Sequence, residues 1–133
     1  MPTILITLFV AAIFPLALAW VGGYFRLRQF GAIDNQHPRI QYTKLEGAGG
    51  RAIAAQQNAW EDLAIYTLTV FIAFASGVDL HTLTTPALVF ITTRVLHPVF
   101  YIANWDKLRS LAYIVGFFSC AYIFSVAVVS AAN

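Results

Sequence analysis

The chain has 133 residues, 59% of them hydrophobic and only 11% charged, with a formal net charge of +2. Charged residues approach a quarter of ordinary soluble domains, so this composition, with a mean hydropathy of +0.71, excludes a water-soluble globule. The small net charge leaves no electrostatic footprint for nucleic acid.

The apolar residues come in blocks of bilayer-crossing length, about 20 residues each. They predict an all-α integral membrane protein of one domain, residues 1–133, folded as a four-helix up-down bundle. The expected spans are about residues 3–25, 51–78, 82–101 and 110–131.

The first span carries no charge from Thr3 to Phe25. Ala17-Leu18-Ala19 has the small-residue pattern of a signal-peptidase site. No Lys or Arg precedes the run, however, and apolarity continues past it through Trp20, Tyr24 and Phe25, so a retained transmembrane helix is expected. Pro15 removes a backbone bond in mid-helix and should bend it. Trp20 and Tyr24 fit an interfacial aromatic belt.

A polar connection follows, holding Arg26, Arg28, Arg39 and Lys44. His37-Pro38 reads as a helix stop, and Gly47-Ala48-Gly49-Gly50 as a flexible approach to the second span. Those glycines are no phosphate loop, because no Gly-Lys-Ser/Thr follows and no strand precedes them.

The second span opens with Arg51, Gln56, Gln57, Asn58, Glu61 and Asp62 and is apolar or hydroxylic beyond. At 100° per residue, Arg51, Ala54, Asn58, Glu61, Asp62 and Ile65 share one face about 100° wide. Ionisable groups at that depth are costly in hydrocarbon, and they face the interior or mark a site. The plainer alternative is a set of interfacial polar residues that satisfy one another at a helix start.

A short turn without Lys or Arg, Gly77 to His81, leads to the third span. Arg94, His97 and Tyr101 lie there at i, i+3 and i+7, on one helical face. Asn104 to Lys107 is a tight turn, and Arg109 opens the uncharged, aromatic fourth span. No metal centre is expected. His37, His81 and His97 are far apart, Cys120 is alone, and no ligand-type spacing occurs.

All eight Lys and Arg residues fall in or beside residues 26–51 and 94–109. The positive-inside rule therefore puts loops 26–50 and 102–109 on the cytoplasmic side and both termini opposite. In an up-down bundle the charged ends of all four helices then meet at one face. Arg forks, an Asn and a Glu at that face suit an anionic polar ligand that meets an apolar co-substrate from the bilayer. An Arg beside a thiol also favours the thiolate.

Two blocks of residues carry a resemblance. Arg51-Ala52, followed by Ala55-Gln56-Gln57-Asn58-Ala59-Trp60-Glu61, is similar to the helix-two motif of the MAPEG family, the membrane-associated proteins of eicosanoid and glutathione metabolism. Arg94-Val95-Leu96 through Tyr101 to Leu108-Arg109-Ser110-Leu111 is similar to that family's third and fourth helices. The chain resembles the small bacterial members over essentially its whole length. The resemblance implies a homotrimer in a bacterial inner membrane, in contact with lipids and lipophilic small molecules, with active sites between neighbouring subunits. It also implies glutathione as co-substrate and no metal.

By that resemblance Arg109 is the catalytic residue that stabilises the glutathione thiolate. Asn58 and Glu61 hold the tripeptide, and Arg51, Gln56 and Tyr101 line its site. Arg94 and His97 join them as substrate-binding candidates, with Arg26 and Arg28 as possible additions. Two positions depart from the family pattern: Ala54 stands where a second motif arginine is common, and His97 where some catalytic members have tyrosine.

Two readings follow. One is a glutathione transferase or peroxidase acting on lipophilic electrophiles. The other is a non-catalytic protein of the same fold that binds a lipid or an anionic metabolite. Proton-coupled multidrug transport is disfavoured, since the first span lacks the membrane carboxylate that chemistry needs.

Overall fold

A computed structural model describes residues 1–132, so Asn133, the last residue of the expected domain, lies outside the described residues. Among these all regular structure is helical: α1 (Thr3–Phe30), α2 (Pro38–Thr43), α3 (Gly47–Ala75), a 3₁₀ turn (Leu80–Leu83), α4 (Thr84–Ile102) and α5 (Asp106–Ala131). Three stretches are long and apolar enough to cross a membrane: Thr3–Phe30, Leu80–Ile102 and Asp106–Ala131. α3 is longer still, at 29 residues, but its polar first half keeps it below that level of apolarity.

Successive long helices run in opposite directions, as the bonds between their ends establish. The Thr84 hydroxyl at the start of α4 donates to the Thr3 hydroxyl at the start of α1 (3.4 Å), and Ser130 near the end of α5 donates to the Ser76 carbonyl after α3 (3.1 Å). At the other end Arg51, in the second turn of α3, reaches the carbonyl of Ile102, the last residue of α4.

Besides α5 opening at Asp106 within the expected turn and α3 closing at Ala75 rather than at residue 78, helix ends differ from the expectation in three places. Pro38 does not stop a helix but opens α2, because proline's missing N–H costs nothing in a first turn and its fixed φ suits one. α1 instead runs on to Phe30, where Gly31 (φ 74°) adopts the left-handed conformation and its N–H closes on the Leu27 carbonyl. Gly47 to Gly50 are not a flexible approach but the first turn of α3. The chain packs closely there: a Cβ on Gly49 would lie 3.0 Å from Leu45 and 3.2 Å from Phe25. Pro15 sits inside α1 without ending it.

The connection after α1 is folded down by two glutamines. Gln41 accepts from the Asp34 N–H and donates to the Ala32 carbonyl, while Gln29 donates to the Lys44 carbonyl and accepts from the Glu46 N–H. Within this segment the His37 N–H, first among the causes, holds the exposed Asp34 carboxyl below its ordinary pKa.

The core is built for close approach rather than bulk. Ala11, Ala52, Ala55, Ala73, Ala87, Ala112 and Ala127 are buried, as expected where helices associate through van der Waals contact in lipid. At its centre Tyr66 stacks on Phe90, with ring centroids 3.8 Å apart, and shares a 2.7 Å hydrogen bond with Thr7. Phe9, Leu16, Leu68, Phe71, Phe74, Phe118 and Val129 point outward, an apolar coat that suits acyl chains.

Candidate functional site

The charged helix ends do converge. The start of α3, the end of α4 and the start of α5 enclose a cleft of about 350 Å³ lined by Asn58, His97, Tyr101, Arg109, Ser110, Tyr113 and Ile114. Four of the residues expected from sequence are in that set.

Arg109 is half-buried in the first turn of α5, its guanidinium carbon 4.5 Å from the centre of the Tyr101 ring. A ring under a guanidinium holds it in place by a cation–π contact without using its N–H donors. No hydrogen bond or ion pair among the described residues takes up those donors. His97 packs edge-on to Tyr101 (centroids 5.6 Å) and lies 6.4 Å from the Tyr113 ring. Asn58 reaches the cleft from α3, half-buried. The wall is therefore aromatic, and its polar groups are a free guanidinium, an amide, an imidazole and two kinds of hydroxyl. That set suits an anionic, hydrogen-bonding ligand.

Ser110 and Tyr113 were not expected from sequence. Tyr113 follows Arg109 by four residues, the spacing of side-chain neighbours on a helix, and that signal was available.

The remaining expected residues lie elsewhere. Glu61 is exposed on α3, one turn beyond Asn58. Arg51 is committed to the Ile102 carbonyl, through Nε at 3.1 Å and Nη2 at 3.0 Å. Gln56 is about 200° around α3 from Asn58. Its amide donates to the Pro15 carbonyl at 3.2 Å, and it lines a second cleft of about 530 Å³ with Arg39, Tyr42, Thr43, Ile53, Gln57 and Trp60.

Arg26 is buried behind this second cleft, its guanidinium 4.3 Å from the Tyr42 ring centre and Nη1 bonded to Gln41 (3.4 Å). Arg28 is exposed beside Tyr24.

Arg94 is in neither cleft. It is buried and paired with Asp62, and its Nη2 donates to the carbonyls of Ala112 (2.8 Å) and Tyr113 (3.3 Å). The one-face reading of α3 accordingly splits: Asp62 turns inward to Arg94 while Glu61, 100° away, turns out. Among the described residues no group of His, Cys, Asp and Glu side chains is placed to hold a metal ion.

Compared with known proteins, residues 3–129 match a family model described as the MAPEG family. No curated protein matches the chain.

Proposed function

We propose that this chain, which belongs to the MAPEG family, is a membrane-bound glutathione transferase or peroxidase that uses the thiolate of glutathione on lipophilic electrophiles. MAPEG proteins are membrane proteins of glutathione-related and eicosanoid metabolism. The observation that carries the reading is the placing of Arg109, with open N–H donors, in one cleft with Asn58, His97 and Tyr101.

In this reading Asn58 holds the tripeptide by its amide, and Glu61 faces its ammonium group. Tyr101 fixes Arg109, and Arg109 lies against the sulfur. A thiolate about 4 Å from a guanidinium has its pKa lowered by one unit or more, so it is present at neutral pH. In conjugation the thiolate sulfur forms a bond to an electrophilic carbon, and the displaced electron pair leaves with the departing group or takes a proton. With a peroxide, sulfur attacks the outer oxygen, the O–O bond breaks and the alkoxide leaves with a proton as the alcohol; a second glutathione thiol then displaces water from the sulfenic acid, giving the disulfide.

The assembly belongs to the same proposal: a four-helix transmembrane bundle that associates as a homotrimer. The division of expected site residues between two faces of α3 supports it. Asn58, His97, Tyr101 and Arg109 open on one side, and Gln56 with Arg26 behind Tyr42 on the other. Around a closed ring each chain would set its second cleft against its neighbour's first, so that a complete site takes residues from two subunits. The proposed location is a bacterial inner membrane, with residues 26–50 and 102–109 cytoplasmic and both termini opposite.

Ala54 favours a second reading. One turn before Asn58 it offers no charge to a ligand carboxylate, and a charge-assisted bond of that kind contributes about 1.5–3 kcal/mol. A protein that binds an anionic metabolite or lipid without turnover would tolerate that loss. Thermal unfolding of the purified protein with glutathione, its disulfide and carboxylate-modified analogues separates the readings. Stabilisation by the free thiol, with absorbance from its thiolate, is expected. No stabilisation by glutathione would overturn the transferase reading.

A further inference from the structure

We propose that Asp62 and Arg94 are positioning residues. They form a buried polar strut beneath the cleft that sets the register of α3, α4 and α5, and so the placing of Asn58, His97 and Tyr113. The ligand half of the test below rests on the glutathione reading; the other half does not.

Asp62 is 8% exposed and Arg94 5%, so neither charge is solvated and each answers the other. The fork of Arg94 does more than neutralise Asp62. Nη1 binds the carboxylate of α3, while Nη2 binds two main-chain carbonyls of α5. One side chain rooted in α4 thus grips both other helices that line the cleft.

The cleft residues lie within a turn of this grip. Asn58 is four residues before Asp62, His97 is three after Arg94, Tyr113 is bound through its own carbonyl, and Arg109 is three residues before Ala112. One helical turn is about 5.4 Å of rise, so a shift in register at the strut arrives undiminished at the cleft.

Phe90 and Tyr113 flank the guanidinium, but the helix surfaces that α3 and α5 bring to the strut are small, with Ala55, Ala59, Ala112 and Gly116. Such surfaces resist separation but not sliding. Sliding α5 along its axis by about 1.5 Å would keep much of the van der Waals contact there while moving Arg109 off the Tyr101 ring and Tyr113 off His97. The bonds from Nη2 to Ala112 and Tyr113 are directional and are lost in that movement. An apolar pair of similar volume can match or exceed a buried ion pair in stability. What it lacks is this selection of register.

The test uses the full chain in detergent micelles, with 3-fluorotyrosine incorporated and each fluorine resonance assigned by replacing its tyrosine with Phe. The double variant Asp62→Leu/Arg94→Met removes both charges and keeps bulk. Its unfolding midpoint should stay at or above wild type. Per folded protein, glutathione affinity and thiolate absorbance should fall at least tenfold, and the Tyr101 and Tyr113 resonances should shift or split while that of Tyr24 stays.

Arg94→Lys keeps the charge opposite Asp62 but loses the fork that reaches α5. It should move the same resonances and weaken glutathione severalfold, and it decides the matter if the double variant does not fold. A pair with a merely structural role would lower the unfolding midpoint and leave affinity, absorbance and fluorine shifts per folded molecule unchanged. That result overturns the proposal. Should wild type bind no glutathione, the transferase reading fails by itself. The resonances then decide: movement of Tyr101 and Tyr113 supports the strut, and unmoved resonances overturn it.

Discussion

Two helical glycines should respond to the same substitution with opposite signs. Gly116 of α5 faces the strut. A Cβ built there collides with Arg94 Nη2 and lies 2.8 Å from both Arg94 Cζ and the Thr93 hydroxyl. Arginine ends usually move aside at little cost, but this one is held by Asp62 and two carbonyls, and the Thr93 hydroxyl is itself bonded to the Phe90 carbonyl. Gly116→Ala should gain about 1 kcal/mol of helix propensity. Against this stand about 1–3 kcal/mol for overpacking and about 1.5–3 kcal/mol for a displaced charge-assisted hydrogen bond. The net expectation is destabilisation of roughly 1.5–5 kcal/mol.

Gly23 of α1 is also buried, yet a Cβ there meets nothing within 4 Å. Gly23→Ala should therefore stabilise by about 0.5–1 kcal/mol. Reversible unfolding in mixed micelles, followed by circular dichroism, measures both. In an Arg94→Met background, itself destabilised by the unpaired Asp62 carboxylate, the further loss from Gly116→Ala should be much smaller, with a coupling energy above about 1 kcal/mol for groups in contact. Gly116→Ala as stable as wild type, or equally destabilising with Met at position 94, would refute the steric reasoning.

Other expectations concern the chemistry and the topology. Arg109→Ala should lower turnover strongly and abolish ultraviolet thiolate absorbance with little change in glutathione affinity, because the interaction is made with the reactive state. Asn58→Ala should weaken affinity and leave the bound thiol ionised; titrations of both variants against wild type check the pair. Ala54→Arg places a guanidinium one turn before Asn58 and should raise glutathione affinity about tenfold, as calorimetry would record. Reporter fusions after Asn133 and within residues 34–45 should report opposite sides of the membrane, and a cytoplasmic signal at the C-terminus would reverse the proposed orientation.

The long helices were legible because apolar run length is a one-dimensional property, and so was the gathering of charge at one end, which needs only alternating helix directions. Asn58, His97, Tyr101 and Arg109 were legible for the same reason. Asp62 was not. Spacing puts it on the polar face of α3, but the sign of its burial depends on a partner in the next long helix, 32 residues along the chain, and Arg94 was read as facing a ligand. Gln56 was placed in one site with Asn58 by the family resemblance; within a single chain the two are about 200° apart on α3 and open on different clefts. Gly47 to Gly50 misled because glycine's freedom is a property of the isolated chain. Here the closeness of Leu45 and Phe25 to Gly49 selects the helical form.

The bond from Arg51 to the Ile102 carbonyl also bears on what kind of ion the cleft tolerates. α4 ends beside the cleft, one residue past Tyr101, and the carbonyl end of a helix carries about half a negative charge. Left bare, that end would repel an anion at close range, opposing Arg109 in a medium that screens poorly. A guanidinium seated on the final carbonyl at 3.0 and 3.1 Å cancels the adverse pole at its source. α5 begins just across the turn with Asp106 in its first turn, so the favourable pole of that helix is already partly answered by its own carboxylate. Arg51 thus acts at a distance, by silencing a helix end that would otherwise repel negative charge in the cleft.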